Sequence, residues 1–414
     1  MEDSLQLPQE TLQNLEQVLK DLRFEKYSLK FSKGSAKGQN YLGIITKIQV
    51  TEEDDKKTPR QLNLIIKSAP GATEFREYIK IEILHAREVC MYESVFPELI
   101  KFQKEIGLED IFDPFAKCYG TSSVIPHEHL IFEDMTAHGY VLKNRKNVID
   151  LDHCQTVLTA YGQYHALALA LRIKNPETYK TLSENTRESF FNNVNLSSLC
   201  KTIKGHIDKV INNLDESIDK KLIKKLNDFV NFPIDPKGLL ENLSIEAAQG
   251  AAVFCHGDCW INNMLFKYED DSSTPSAVCL LDWQLSRCAS PAIDISYFIF
   301  ACTDKKLRDI HYQHLLNIYH SSLTAFLIKL QVDPEIFSKE TFSNHMKQFS
   351  KYGLMMCLIG VPLFVADLDE IPDWTGDMEN GEREKMFSMT RKSEQYIVDK
   401  LTDIARDFDR LGYF

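Results

Sequence analysis

The sequence predicts an α+β fold in two lobes, a small antiparallel-sheet lobe followed by a larger, mainly helical one. Three observations carry this expectation. The length of 414 residues exceeds the usual size of a single core. Strand-like segments are concentrated before residue 135, and helical periodicity dominates after it. Within the helical part, one short apolar stretch and one hairpin, between residues 253 and 282, break the helices. The expected lobes are residues 1–135 and 136–414.

Taken in order, residues 8–23 read as a leading helix. FSKGSAKGQNYLGIITKIQV then reads as a glycine-bearing turn running into a strand. TEEDDKKTPR reads as a hairpin tip, and QLNLIIKSAP as the returning strand. A long helical pattern follows from Thr73 to Val95, and EHLIFEDM, residues 128–135, is a short apolar strand ending in acids. Helical spacing returns over 151–172 and much of 186–230, and continues to the C-terminus beyond the hairpin.

Composition narrows the function classes. Apolar residues make up 43% and charged residues 26%, as in globular enzymes. A net charge of -12 argues against nucleic acid as the main partner and is compatible with a cationic or neutral substrate. The acidic, amphipathic N-terminus lacks the features of a signal peptide. LMMCLIGVPLFVA, residues 354–366, is too short to span a bilayer, and its Gly360 and Pro362 predict a buried helix and turn. Ten cysteines without framework spacing are expected to be reduced thiols in a cytoplasmic protein.

VFCHGDCWINNMLF, residues 253–266, admits three readings. A zinc knuckle needs paired soft ligands, but Cys255 and Cys259 are separated by three residues and no second pair lies nearby. A cysteine nucleophile explains neither asparagine. The third reading is phosphoryl transfer, in which an acid orients the acceptor hydroxyl while an amide and a carboxylate hold magnesium. His256-Gly257-Asp258 followed by Asn263 reproduces the H-R-D-x-x-x-x-N spacing of kinase catalytic loops. Folding MLFKYE against AVCLLDW, with the midpoint between Ser272 and Ser273, sets Asn263 opposite Asp282 at the open end of the hairpin. Oxygen ligands of this kind suit Mg2+. The plainer alternative is a surface hairpin with polar ends.

Lys67 interrupts the apolar strand LNLIIK, either as an edge-strand lysine reaching water or as a phosphate ligand. Glu88 falls on the stripe formed by Ile81, Leu84, Met91 and Val95, whereas Glu82 and Glu93 lie on other faces. A carboxylate on a buried face needs a cation, and Lys67 is the candidate. The GSAKGQNY loop, with Gly34, Gly38 and Asn40, is either a plain turn or a cover for nucleotide phosphates. Glu133 and Met135 end the strand at the lobe junction, where backbone groups would meet adenine, unless this is an ordinary polar strand end. Asp294 is read as a helix cap or as the anchor of the His256 loop, and His165 as a satisfied core histidine. His256 itself is expected to brace its loop by hydrogen bonds.

HGDCWINN, LLDWQLSR with SPAIDISYF, GSAKGQNY, IIK, AREVCMYE and IFEDM stand in the order seen in the insect ecdysteroid kinase-like, or choline-kinase-like (CHK), family. The chain resembles that branch of the aminoglycoside phosphotransferase and choline kinase superfamily from about residue 30 to its end. The resemblance implies a two-lobed protein-kinase-like fold, ATP with Mg2+, and a small-molecule hydroxyl as acceptor, an ecdysteroid or similar molecule. It implies Asp258 as base, Asn263 and Asp282 as metal ligands, and Lys67 with Glu88 as the phosphate-positioning pair. Departures are Cys259 where leucine is usual, Gln39 in the glycine loop where glutamate is usual, and Gly43 in place of a common serine. Two other functions stay open. One is a choline-, ethanolamine- or aminoglycoside-type kinase, for which the acidic segment 367–384 around Trp374 would bind a cation unless it is a solvated loop. The other is a protein that binds a hydrophobic ligand without catalysis.

Overall fold

The computed structural model describes residues 7–34, 43–53, 59–71, 73–269, 272–366 and 393–414. Five strands, β1 (Tyr27–Lys33), β2 (Ile44–Glu52), β3 (Gln61–Ser68), β4 (Cys118–Ser122) and β5 (His129–Glu133), form an antiparallel sheet in the order β1-β2-β3-β5-β4. β1 was not expected from the sequence, although Tyr27, Leu29 and Phe31 alternate with polar residues as a strand requires. The leading helix, Gln9–Asp21, buries Leu15, Val18 and Leu19 against Ile48, Val50, Leu64, Ile66 and Ile131 of the sheet. These residues form a small core of their own.

The helix expected over 73–95 is broken. Thr73–Ile79 ends at Lys80, whose left-handed backbone (φ 56°) restarts the chain as Ile81–Cys90. A π turn, Met91–Val95, leads into Phe96–Glu105. Pro97 has no N–H to give the carbonyl four residues back, and the wider turn passes that gap. The predicted stripe survives: Ile81, Leu84, Glu88, Met91 and Val95 are all buried. From Leu84 onward its apolar members pack into the larger core rather than the small one.

That larger core is built on the helices Leu151–Lys174 and Lys305–Lys329. They approach closely at Gly162, where a Cβ would sit 2.7 Å from Tyr319 O. Strands β6 (Tyr140–Leu142), β8 (Met264–Tyr268) and β9 (Pro275–Leu280) form one small sheet, and β7 (Val253–Cys255) pairs with β10 (Arg287–Ala289). The apolar run 354–366, all but its last residue, lies in the buried helix Lys351–Val365, which continues through Gly360 and Pro362 instead of turning there. Among the described residues, no single helix is long and apolar enough to cross a membrane.

Candidate active site

The site sits where β3 and the Ile81–Cys90 helix face the β7 and β8–β9 loops. Lys67 occupies β3, whose neighbours are β2 and β5, so it is not on a sheet edge. Its Nζ donates to Glu88 Oε2 at 2.6 Å and to Asp282 Oδ1 at 2.7 Å. Burial works against the ammonium, but Asp282 and Glu88 together outweigh it, so the Lys67 pKa rises and the lysine stays charged. The other Glu88 oxygen accepts from Trp283 N at 3.3 Å.

β7 delivers His256, Gly257 and Asp258 into the cleft. Asp294, fully buried, accepts from His256 N at 2.6 Å and Gly257 N at 2.9 Å, so it anchors the loop. Gly257 has φ 82°, and a Cβ there would lie 2.1 Å from Leu285 O, so only glycine fits. His256 braces the loop as expected, with Nε2 2.9 Å from Leu281 O and Nδ1 accepting from Asp258 N at 3.2 Å. His165 is a satisfied core residue between Tyr319 and Asp294.

Asp258 accepts from Asn263 Nδ2 at 2.9 Å and from the Tyr297 hydroxyl at 3.2 Å. Its carboxyl is pushed up to about 7, first by burial and then by the charge of Asp282, against the pull of those hydrogen bonds.

The hairpin register differs from the expected one by a residue. Pairs from Met264–Leu280 to Lys267–Ala277 centre it on Ser272, and Leu281 N donates to Asn263 O at 2.9 Å. Asn263 therefore faces Leu281 instead of Asp282. A bulge at Lys267/Tyr268 separates this ladder from the turn, where the sequence reading had placed its midpoint. In a regular strand such a slip would point Asp282 to the other face. Its left-handed backbone, φ 65° and ψ 72°, turns the carboxylate into the cleft instead.

A cavity of about 330 Å³ runs through this cleft. Of the predicted residues, Gly34, Lys67, Glu88, Glu133 and Met135 line it from the sheet side, and Asp258, Asn263 and Asp282 from the opposite side. Gly38, Asn40 and the acidic segment 367–384 lie outside the described residues. The residues of the zinc and nucleophile readings stay apart in role. Cys255 Sγ donates to Ser290 O at 3.3 Å, and Cys259 is buried in the apolar core. His165, Cys255 and Asp294 do cluster, but Asp294 is already engaged by two backbone N–H groups and His165.

Sequence reasoning missed three participants. Tyr297 stands one helical turn after Asp294, but the Asp258 carboxylate it meets lies 39 residues earlier in the chain. Gln284 donates to Asp282 Oδ2 at 3.3 Å. Lys47, on the cavity wall, donates to Asp134 Oδ2 at 3.0 Å and Thr136 Oγ1 at 2.7 Å, tying the sheet to the lobe junction.

The ecdysteroid kinase-like family model matches residues 37–332. The chain belongs to the ecdysteroid kinase-like family. This member carries a five-stranded antiparallel sheet followed by a mainly helical part. Among solved structures, the GDP complex of a mutant aminoglycoside 2'-phosphotransferase-IIIa is similar over 97% of this chain and 99% of that chain, with 10% identity and a TM-score of 0.47. A search of curated proteins gave no match.

Two predictions concern the loop of this ecdysteroid kinase-like protein. Asp294→Ala strips the partner from two buried N–H groups and from His165, and should destabilise the fold by about 3 kcal/mol or more, read as a lower denaturant midpoint. The second follows from the raised Asp258 carboxyl. Below about pH 3 it is protonated in both folded and unfolded chains and contributes nothing. As pH rises toward 7, the unfolded chain ionises freely while the native site resists, so the native state loses stability. In ligand-free protein with chelator, Asp258→Asn should therefore melt above the wild type at pH 8, by on the order of 2 kcal/mol after screening by the open cleft. The difference should shrink steadily toward pH 4 and vanish at about pH 3.

Proposed function

We propose that this protein is an ATP- and Mg2+-dependent kinase that phosphorylates a hydroxyl of a small molecule. The observation that carries the reading is one cleft in which Lys67, paired to Glu88 and Asp282, stands across from Asp258 bonded to Asn263. The set holds three carboxylates, Glu88, Asp258 and Asp282, against one lysine, which pairs with Glu88 and Asp282, and repulsion from Asp282 helps to raise the Asp258 carboxyl. Such a surplus of hard oxygen donors fits a divalent cation. Asn263 gives its amide nitrogen to Asp258, which leaves its oxygen to serve with Asp282 as metal ligands. When bound, magnesium would neutralise charge on the nucleotide phosphates.

The chain's own residues supply the remainder. Lys67, held charged by two acids, balances phosphate charge, and Glu88 keeps it in place. Asp258 accepts or orients the proton of the acceptor hydroxyl at a carboxylate oxygen, and Asn263 and Tyr297 fix that oxygen's direction. Gly34, Glu133 and Met135 offer backbone groups to the nucleotide from the sheet side. Rate acceleration then comes from positioning and charge stabilisation.

The acceptor we favour is an ecdysteroid-like hydroxylated molecule, the class in the family's name. The deciding experiment incubates the protein with ATP and magnesium against ecdysteroids, choline, ethanolamine and aminoglycosides, and reads phosphate mass gained on the acceptor. Gain on an ecdysteroid supports the full reading, and gain on choline or an aminoglycoside reassigns the acceptor. Ligand binding without magnesium-dependent ATP consumption would favour the non-catalytic binder.

A further inference from the structure

Arg87 stands beside Glu88 on the Ile81–Cys90 helix, and the reaction described above leaves it without a task. It is buried, and among the described residues it makes no ion pair with a carboxylate. Its guanidinium donates instead to one segment of the large lobe: to Asn185 O at 2.7 Å, to Arg187 O, and to Ser189 Oγ at 3.1 Å. Asn185 ends the Pro176–Asn185 helix, so the cation also meets the negative end of that helix dipole.

The same segment is bonded to the strand behind the Asp258 loop. Cys288 N of β10 donates to Thr186 O at 2.9 Å, and Glu188 pairs with Arg287 at 2.9 Å. Arg287 donates to Leu285 O at 2.6 Å and lies over the ring of Tyr352, whose hydroxyl holds Gly257 O at 2.6 Å. β10 pairs in turn with β7, which leads into His256, Gly257 and Asp258.

We propose that this chain of contacts is a tether in which Arg87 acts as a positioning residue, holding the Glu88–Lys67 pair of the small lobe in register with Asp258 in the large one. The proposal rests on the phosphotransfer reading for its catalytic consequence, but not for the tether itself. A buried guanidinium with several fixed acceptors has one favoured geometry, which a lysine cannot reproduce. Without it the helix is released at the residue next to Glu88, and carbonyls in the large lobe lose their donors.

Two measurements on the full chain test this. The first is amide hydrogen exchange without ligand. The second is magnesium-dependent ADP release from ATP, with water or an accepted alcohol as acceptor. Arg87→Ala should speed exchange over residues 81–95 and 253–258 while the leading helix and its sheet keep wild-type protection. It should lower kcat tenfold or more with KM for ATP within threefold. Arg87→Lys should recover only part of kcat. Glu188→Gln should act in the same direction, and the double variant should lose less than the product of the two single losses. Should Arg87→Ala fail to fold, Ser189→Ala and Glu188→Gln carry the same comparison. Unchanged exchange and kcat in these variants, or strictly multiplicative losses, would overturn the tether. Faster exchange in Arg87→Ala, together with a wild type that releases no ADP, would keep the tether and overturn phosphotransfer.

Discussion

Asp258→Asn is expected to lower turnover by about a thousandfold or more while leaving the affinity for ATP with magnesium within a fewfold of wild type. The amide has the shape of the carboxylate, so the contacts from Asn263 and Tyr297 survive in modified form. What disappears is the acceptor for the hydroxyl proton. Nucleotide affinity should persist because Lys67, Glu88 and both proposed metal ligands, Asn263 and Asp282, are untouched. Steady-state kinetics with the best alcohol of the ligand panel, paired with calorimetric titration of ATP, separates the two effects. Wild-type turnover in this variant would end the assignment of Asp258 as the base.

Asp282→Ala should have the opposite signature. It removes the proposed metal ligand and one of the two acids on Lys67, while leaving the Lys67–Glu88 pair at 2.6 Å. Affinity for ATP in the presence of magnesium should fall about a hundredfold, whereas the weaker binding measured in chelator should change little. Alanine is also strained at the left-handed backbone that Asp282 adopts, so Asp282→Asn is the companion variant. It keeps the turn and one oxygen ligand, and should bind magnesium-nucleotide between wild type and alanine. Equal nucleotide affinity in all three proteins, with magnesium present, would remove residue 282 from the metal site.

Glu88 was legible in the sequence because helical spacing puts it on a buried stripe, and an unpaired carboxylate there is too unfavourable to persist. The same logic reached Lys67 without knowing where the sheet stood. The helix break at Lys80 was not legible, because a lysine in a left-handed conformation has no local signature that overrides the surrounding periodicity. Tyr297 and Tyr352 escaped for another reason. Their hydroxyls meet Asp258 and Gly257 across 39 and 95 residues of chain, and nothing local encodes such a meeting.

By itself the sequence determined which chemistry-bearing residues this protein owns and the order in which strands and helices carry them, since periodicity and spacing are local properties of a chain. Tertiary structure alone decided how they converge. Asp282 enters the cleft through a single left-handed residue after a ladder shifted by one place, and Arg87 binds one lobe to the other through carbonyls nearly a hundred residues away. Strand register and long-range hydrogen bonding are chosen by the packing of both lobes at once, because side-chain direction alternates with each residue and a buried donor binds whichever acceptor the fold brings to it.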